Sequence, residues 1–381
     1  MDNNTITAAE QLNAILRQLK TAFVGKDEII DLMGIALVAR ENLFLLGPPG
    51  TAKSAMVRSL SQRLGGHTFE YLLTRFTEPN EIFGPFDIRK LREGELVTNT
   101  EGMLPEANLV FLDELLNANS AILNSLLMVL NERVFRRGKE TRPLPVLMIV
   151  GASNHLPEDE ALQALYDRFL LRVPCDNVAP DQLPEVLRAG WKLEQPDRTA
   201  EAHISLDLIQ GLQQQIYEVA LDDIQDAYLD LVAKLRNTGI QLSDRRAVKI
   251  QRLIAASAVL CGRERALVSD LWVMRYIWDT EEQIEIARSI VNTTVDKDES
   301  EASEQHPQAT DQALPDADAI HQELETMNRE WDQPELSLSA KARLQDRLRH
   351  LSNRCQWISE DTKQQYVQSK IDQLWQKILQ P

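Results

Sequence analysis

Hydrophobic positions fall into two regimes along the chain. From Leu43 to Pro174, short aliphatic runs alternate with stretches of helical spacing; the runs are Asn42–Leu46, Phe69–Leu73, Leu109–Leu112, Val146–Val150 and Phe169–Val173. Several are apolar at every position and so have no polar side to turn to water, which is how parallel strands covered by helices on both faces read. The pattern predicts an α/β fold with a five-stranded parallel sheet. From about Gln182 to Ile290 the runs stop and helical spacing takes over, with helices expected over Arg246–Leu260 and Leu267–Arg288. The longest nearly apolar run, Leu32–Ala39, falls far short of the roughly 20 residues of a membrane helix and reads as a core helix.

Between Asp296 and Asp318 eight acidic residues stand against one lysine, with two prolines and no aromatic side chain. Such a composition buries too little apolar surface to offset chain entropy, so an acidic flexible linker is expected. Beyond it three narrow seams recur at steps of three and four: Ile320, Leu324, Met327, Trp331; Leu344, Leu348, Leu351, Cys355; Val367, Ile371, Leu374, Ile378. Helices this short are unstable alone, and packing on one another is favoured over docking on a partner. The expected organisation is an α/β core over 1–180, an all-α unit over 181–295, the linker over 296–318 and a helical tail over 319–381.

At 381 residues the chain exceeds one typical domain, and its 43% hydrophobic and 26% charged residues are ordinary for globular proteins. The formal net charge of −17 repels a polyphosphate backbone, so no nucleic-acid partner is expected. Cys175, Cys261 and Cys355 are widely spaced and form neither a disulfide framework nor a zinc motif. The polar start Met1-Asp2-Asn3-Asn4 has no secretory pattern, so a cytoplasmic protein without a transmembrane segment is expected.

The strand ending at Leu46 runs into Gly47-Pro48-Pro49-Gly50-Thr51-Ala52-Lys53-Ser54 and then a helical pattern. Strand, glycine-rich turn and helix together form a phosphate loop: backbone N–H groups converge on an anion, the helix N-terminus adds its dipole, and a lysine reaches the outer phosphates. Lys53 takes that role and Ser54 that of a Mg²⁺ ligand; Ala52, standing before the lysine where the general pattern has glycine, is a departure. About sixty residues on, Leu109-Val-Phe-Leu-Asp113-Glu114 ends a second buried strand with two carboxylates. Asp113 suits the Mg²⁺ shell and Glu114 suits the base that takes a proton from water. A helix cap would explain the pair taken alone, but two such motifs together point to ATP and Mg²⁺. A third strand ends at Ala152-Ser153-Asn154, where Asn154 is a candidate for orienting the hydrolytic water.

These stretches resemble the AAA+ ATPases of the MoxR family, most closely the RavA-like branch. The likeness also rests on Glu70-Tyr-Leu-Leu-Thr-Arg-Phe76, Phe83-Gly-Pro85, Asn131-Glu-Arg133, Ala164-Leu-Tyr-Asp-Arg168 and Ser243-Asp-Arg-Arg246, and it covers about residues 20–290. In that family alanine before the loop lysine is tolerated. The resemblance implies that Val24 and Gly25 lie by the adenine, and that Arg245, on a helical lid, contacts the nucleotide of its own subunit. It implies that Arg168, with Arg172 as runner-up, is an arginine finger inserted into a neighbour's site. A closed ring, usually a hexamer, follows from an arginine acting in trans, and a β-hairpin insert near 83–104 is implied on its axial side. RavA-like proteins carry a further β-rich domain that this chain lacks, which puts partners of that domain in doubt. Family members are thought to remodel or mature partner proteins, typically with a von Willebrand A domain protein. A motor subunit of a metal chelatase-like complex is the alternative, and a nucleic-acid remodeller is less favoured because Arg89, Lys90 and Arg92 are balanced by Asp87, Glu93, Glu95 and Glu101.

Overall fold

A computed structural model describes residues 3–94, 96–137, 140–157, 159–180, 182–193, 202–298, 300, 304–309, 317–331 and 361–379, with residues 341, 344, 348, 351, 352 and 355. All five expected strands form: β1 (Leu43–Leu46), β2 (Thr68–Leu72), β3 (Leu109–Asp113), β6 (Met148–Ser153) and β7 (Leu171–Pro174). They are parallel and ordered β2-β3-β6-β1-β7. β4 (Val134–Arg137) and β5 (Glu140–Pro143) make a separate antiparallel hairpin.

Alternate residues of the central strands enter different cores, which is why those strands lack a polar face. Leu43 and Leu45 join the core built with α1 (Asn3–Ala22), α2 (Asp27–Ala39) and α3 (Lys53–Leu64). Phe44 and Leu46 join the core built with α6 (Ser120–Glu132) and α7 (Glu160–Tyr166). The first core continues without a break into α9 (Leu206–Gln215), α10 (Gln225–Asn237), α11 (Asp244–Leu260) and α12 (Glu282–Val295). α2 is buried at every position from Ile29 to Ala39, because α1, α9 and α11 surround it.

The long helix expected over Leu267–Arg288 is instead two pieces, a 3₁₀ segment Val268–Tyr276 and then α12. Leu271, Trp272, Val273, Met274, Ile277 and Trp278 are all buried, so no polar stripe marks the break. Local polar anchors decide it. Asp270 accepts from the Leu267 N–H at 2.8 Å and fixes the start, while Asp279 accepts from the Gln241 N–H and from Arg246 just past the end.

Part of the expected flexible linker is anchored. His306 stacks on Trp272 with ring centroids 4.7 Å apart, Arg275 donates to the Gln308 and Ala309 carbonyls at 2.6 and 2.8 Å, and Gln308 donates to Asp31 of α2 at 2.8 Å. Residues 299, 301–303 and 310–316 of that stretch lie outside the described residues. Composition is an average, and it hides one histidine and one alanine, His306 and Ala309, that are buried. In the region expected as a β-hairpin insert, residues 83–104, α4 (Pro79–Phe83) ends and α5 (Ile88–Arg92) follows, with one antiparallel bridge, Phe86 to Thr98, among the described residues. In the tail, helices Ala317–Trp331 and Asp361–Leu379 and helical positions between them bring all three predicted seams into one small core.

Candidate nucleotide site

The C-terminal ends of β1, β3 and β6 place the three sequence motifs along one sheet edge. β6 lies between the other two, with Leu46 level with Ser153 and Leu112 level with Gly151. Asp113 therefore ends its strand on one side of Asn154 and the phosphate loop leaves its strand on the other. Asn154 is exposed, the first residue beyond β6.

The loop's geometry is set by its neighbours. The Gly47 N–H donates to the Ser153 carbonyl at 3.0 Å, and a Cβ at Gly47 would sit 2.2 Å from the Cys175 carbonyl oxygen, so no side chain fits there. Thr51 closes the turn by donating from its hydroxyl to the Pro48 carbonyl at 3.0 Å. Gly50 has φ +84 and Ala52 φ 68, and α3 begins at Lys53 immediately after that left-handed residue. The Lys53 ammonium is held over the loop by the Gly47 and Pro48 carbonyls, both at 2.8 Å. Ser54 occupies the first turn of the same helix. At the end of β3, Glu114 also has a left-handed backbone, φ 50, and its N–H donates to Asp113 Oδ1 at 3.0 Å. That contact orients the Asp113 carboxylate. Hydroxyl and carboxylate are hard oxygen donors of the kind Mg²⁺ takes alongside substrate phosphates, and no cluster of three His, Cys, Asp or Glu ligands occurs among the described residues.

A cavity of about 660 Å³ opens beside the loop. Phe23 and Val24 from the turn before α2, Gly50 to Ala52 of the loop, Val178, and Val186 and Gly190 of α8 (Leu183–Leu193) line it. Its apolar walls beside a phosphate loop suit a flat heterocycle. Gly25 sits in the same turn at φ +71, and Lys26 donates to the Asp176 carbonyl, tying that turn to the chain after β7.

The arginines collect elsewhere. Arg168 lines a second cavity of about 380 Å³ with Asn131, Asp167, Gln241 and Arg245. Arg245 also lines an adjoining cavity of about 540 Å³ with Arg40, Glu41, Arg133, Lys249 and Arg252. Arg245 is not among the residues lining the phosphate-loop cavity; it stands on the side of Arg168, at these two cavities. The reason is that α11 packs along α2 and carries its N-terminus to the side of the core where α6 ends. Guanidinium N–H groups on this side are left over: Arg168 Nε, Arg133 Nη1, and Arg246 Nε and Nη2 are buried without a hydrogen-bond partner. Burial pushes Arg133 down to about 10.

Arg172, the runner-up finger, is fully buried. It donates to the Trp278 carbonyl at 2.6 Å and to Asp279, and its guanidinium lies 3.9 Å from the Tyr166 ring centroid. Every face of that group is taken up by the fold, which rules it out as a group reaching another subunit. Arg40, Glu41, Lys249, Arg252 and the cavity-lining face of α8 were not picked out from sequence. Their one sequence signal is the spacing Leu183, Val186, Leu187, Gly190, Trp191, which continues an apolar stripe through α8.

Comparison with known proteins agrees with this geometry. Residues 10–214 match the MoxR domain in the MoxR-vWA-beta-propeller ternary systems, and residues 207–291 match an AAA lid domain. The chain is 35% identical over 284 residues to an uncharacterised protein of Methanocaldococcus jannaschii, covering 74% of this chain and 73% of that one. It is 28% identical over 180 residues to Chaperone MoxR1 of Mycobacterium tuberculosis, covering 46% and 47% of the two chains. A crystal structure of a candidate ATPase from Cytophaga hutchinsonii superposes with a TM-score of 0.63 at 18% identity, over 77% of this chain and 96% of that one, and shows the same fold. With the MoxR match spanning more than half its length, the chain belongs to the MoxR family of AAA+ ATPases.

Proposed function

We propose that the protein hydrolyses ATP in a ring and uses the turnover to remodel or mature partner proteins, as a RavA-like MoxR ATPase working with a von Willebrand A domain protein. The observation that carries this reading is the separation of the phosphate-loop cavity from the cavity holding Arg168 and Arg245. Within one chain the two sets of groups line different cavities, and a second copy that brings its arginines to the loop makes one complete site. The description of the matched family, a MoxR domain in ternary systems with a vWA protein, supports the partner.

In this reading the loop N–H groups and Lys53 hold the phosphates, and Val24, Gly25 and α8 enclose the adenine. Glu114 takes the proton of the attacking water and Asn154 orients it. Mg²⁺, held by Ser54 and Asp113, would neutralise charge on the outer phosphates. Arg168 and Arg245 of the neighbour add positive charge where it builds up on the transferred group.

The test mixes two inactive variants. Glu114→Gln should bind ATP without turnover, and Arg168→Ala should lose about 10³-fold or more in rate, as removal of an arginine finger does. Mixed together they should recover activity, at interfaces where an intact Arg168 meets an intact Glu114. Co-assembly by native mass spectrometry without recovered activity would defeat the assignment.

A further inference from the structure

Three lysines among the described residues are buried: Lys20, Lys26 and Lys53, at 3%, 7% and 8% exposure. A buried ammonium is stable only where an opposite charge or strong acceptors replace its water. Lys20 meets that need within the fold, pairing with Asp31 at 2.6 Å. Lys53 does not: it rests on the Gly47 and Pro48 carbonyls, and the phosphates it serves come with the nucleotide. Lys26 stands as Lys53 does. Its ammonium donates to the Asp176 carbonyl and pairs with no carboxylate among the described residues, and it lines the 660 Å³ cavity beside the phosphate loop.

Nothing in the fold asks for a cation at this place. Lys26 is the N-cap residue of α2, its side chain makes no cap bond, and the N-terminal end of a helix disfavours positive charge. Beside it in the cavity wall the side chains of Phe23, Val24 and Val178 offer no acceptor. The tie to Asp176 is replaceable, because Asp176 is an exposed residue that water reaches.

We infer that Lys26 is a second nucleotide-binding cation, whose ammonium donates to an acceptor on the base side of the phosphate loop: a base nitrogen, a ribose oxygen or an α-phosphate oxygen. The inference rests on the nucleotide-site reading above and deepens it. Lys53 is held over the loop and is not among the residues lining the cavity, so the two lysines serve different parts of one ligand. An ammonium carries three N–H donors and the Asp176 carbonyl takes one, which leaves donors for the ligand without breaking that tie. The acceptors in question are untouched when the outer phosphate is cleaved. Lys26 therefore acts on binding in ground state and transition state alike, and its loss belongs in KM rather than in kcat.

The test is Lys26→Met, which replaces the charge with a flexible apolar side chain suited to a buried site. Calorimetry should show ADP bound about tenfold or more weakly, as the loss of a charge-assisted hydrogen bond entails. KM for ATP should rise by a similar factor with kcat unchanged within about twofold. Without nucleotide the variant should melt at the same or a higher temperature, since an unpaired buried charge is gone. Adenosine and AMP, read by competition with ADP, locate the acceptor: the full factor on adenosine places it on base or ribose, and a factor that first appears with AMP places it on the α-phosphate. ADP bound equally by wild type and variant overturns this inference alone. A variant that binds weakly but melts lower without nucleotide also overturns it, because Lys26 then serves the fold through Asp176. Wild type that binds no ADP, or Lys53→Ala that binds it as well as wild type, overturns the nucleotide-site reading and this inference together.

Discussion

Ala52 holds a left-handed backbone, φ 68, at the start of α3, where the general phosphate-loop pattern has glycine. The strain of alanine there is about 1–2 kcal/mol, and it is offset in part because alanine leaves the unfolded chain less freedom, by about 0.4–1 kcal/mol. Ala52→Gly should therefore raise stability slightly, by about 0.5 kcal/mol, where the same change in an ordinary helix would lower it. Denaturant unfolding measures this; a loss of about 1 kcal/mol would mean that the methyl group's packing against the first core outweighs the strain. The residue scale also separates two arginines that look alike in sequence. Arg168 and Arg172 lie four residues apart, yet Arg172 is committed to Trp278, Asp279 and Tyr166 while Arg168 lines a cavity with an unpaired Nε.

At the scale of elements, α2 is bound into the molecule on every side, and that gives its first residue an unusual acidity. Burial, with Asp31 adding and Lys20 opposing, raises Asp27 from the usual 3.8 to about 6. A carboxyl whose folded pKa lies above its unfolded one costs nothing below about pH 4, since both states hold the proton there. The cost grows as pH rises through that interval and is complete above about pH 6. Asp27→Asn removes it, and after allowance for the lost helix-end interaction the gain at pH 8 should be on the order of 1–2 kcal/mol. Urea midpoints of variant and wild type should converge as the pH is lowered from 8 toward 4. A gain that stays constant with pH would show that the charge of Asp27 is not its source. Beside it, Lys20 and Asp31 form a buried pair at 2.6 Å that also accepts from Gln308, so α1, α2 and the stretch after α12 meet at one charged point.

Across the whole molecule, that stretch is a strap. His306 stacks on Trp272 of the 3₁₀ segment before α12, and Gln308 reaches Asp31 of α2, so six residues from an acidic segment join two regions far apart in sequence. Burial and the nearby cations Lys20, Arg263 and Arg275 hold His306 well below its usual range, so it is neutral when packed. The unfolded chain takes up a proton below about pH 6.5, so His306 makes the fold less stable as pH falls through that value. His306→Ala should cost roughly 2 kcal/mol at pH 8 through lost burial and stacking, and less at pH 5.5, where the wild type loses this contribution. Thermal midpoints at the two values, with hydrogen exchange over 304–309, check it; unchanged exchange there would show that the stack does not hold the strap.

What the chain determined by itself is what short-range chemistry can encode. Five runs form five strands, and the four beyond the half-exposed edge strand β2 are buried because a strand covered on both faces needs no polar positions. Gly47 to Ser54, with Asp113 and Glu114, read as a nucleotide site because strand ends, glycines and carboxylates act within a few residues of one another. The tail's three seams, at steps of three and four, specified their common core in the same way. Tertiary structure decided wherever a residue's meaning depends on a partner far along the chain. Arg245 belongs with Arg168 because α11 packs on α2, and Arg172 is structural because Asp279 lies beside it in space. The helix expected over Leu267–Arg288 breaks because Asp270 and Asp279 find partners that no local pattern names. The acidic stretch is anchored by His306 because Trp272 supplies the surface it covers, and composition, which counts residues without placing them, has no way to register a contact of that kind.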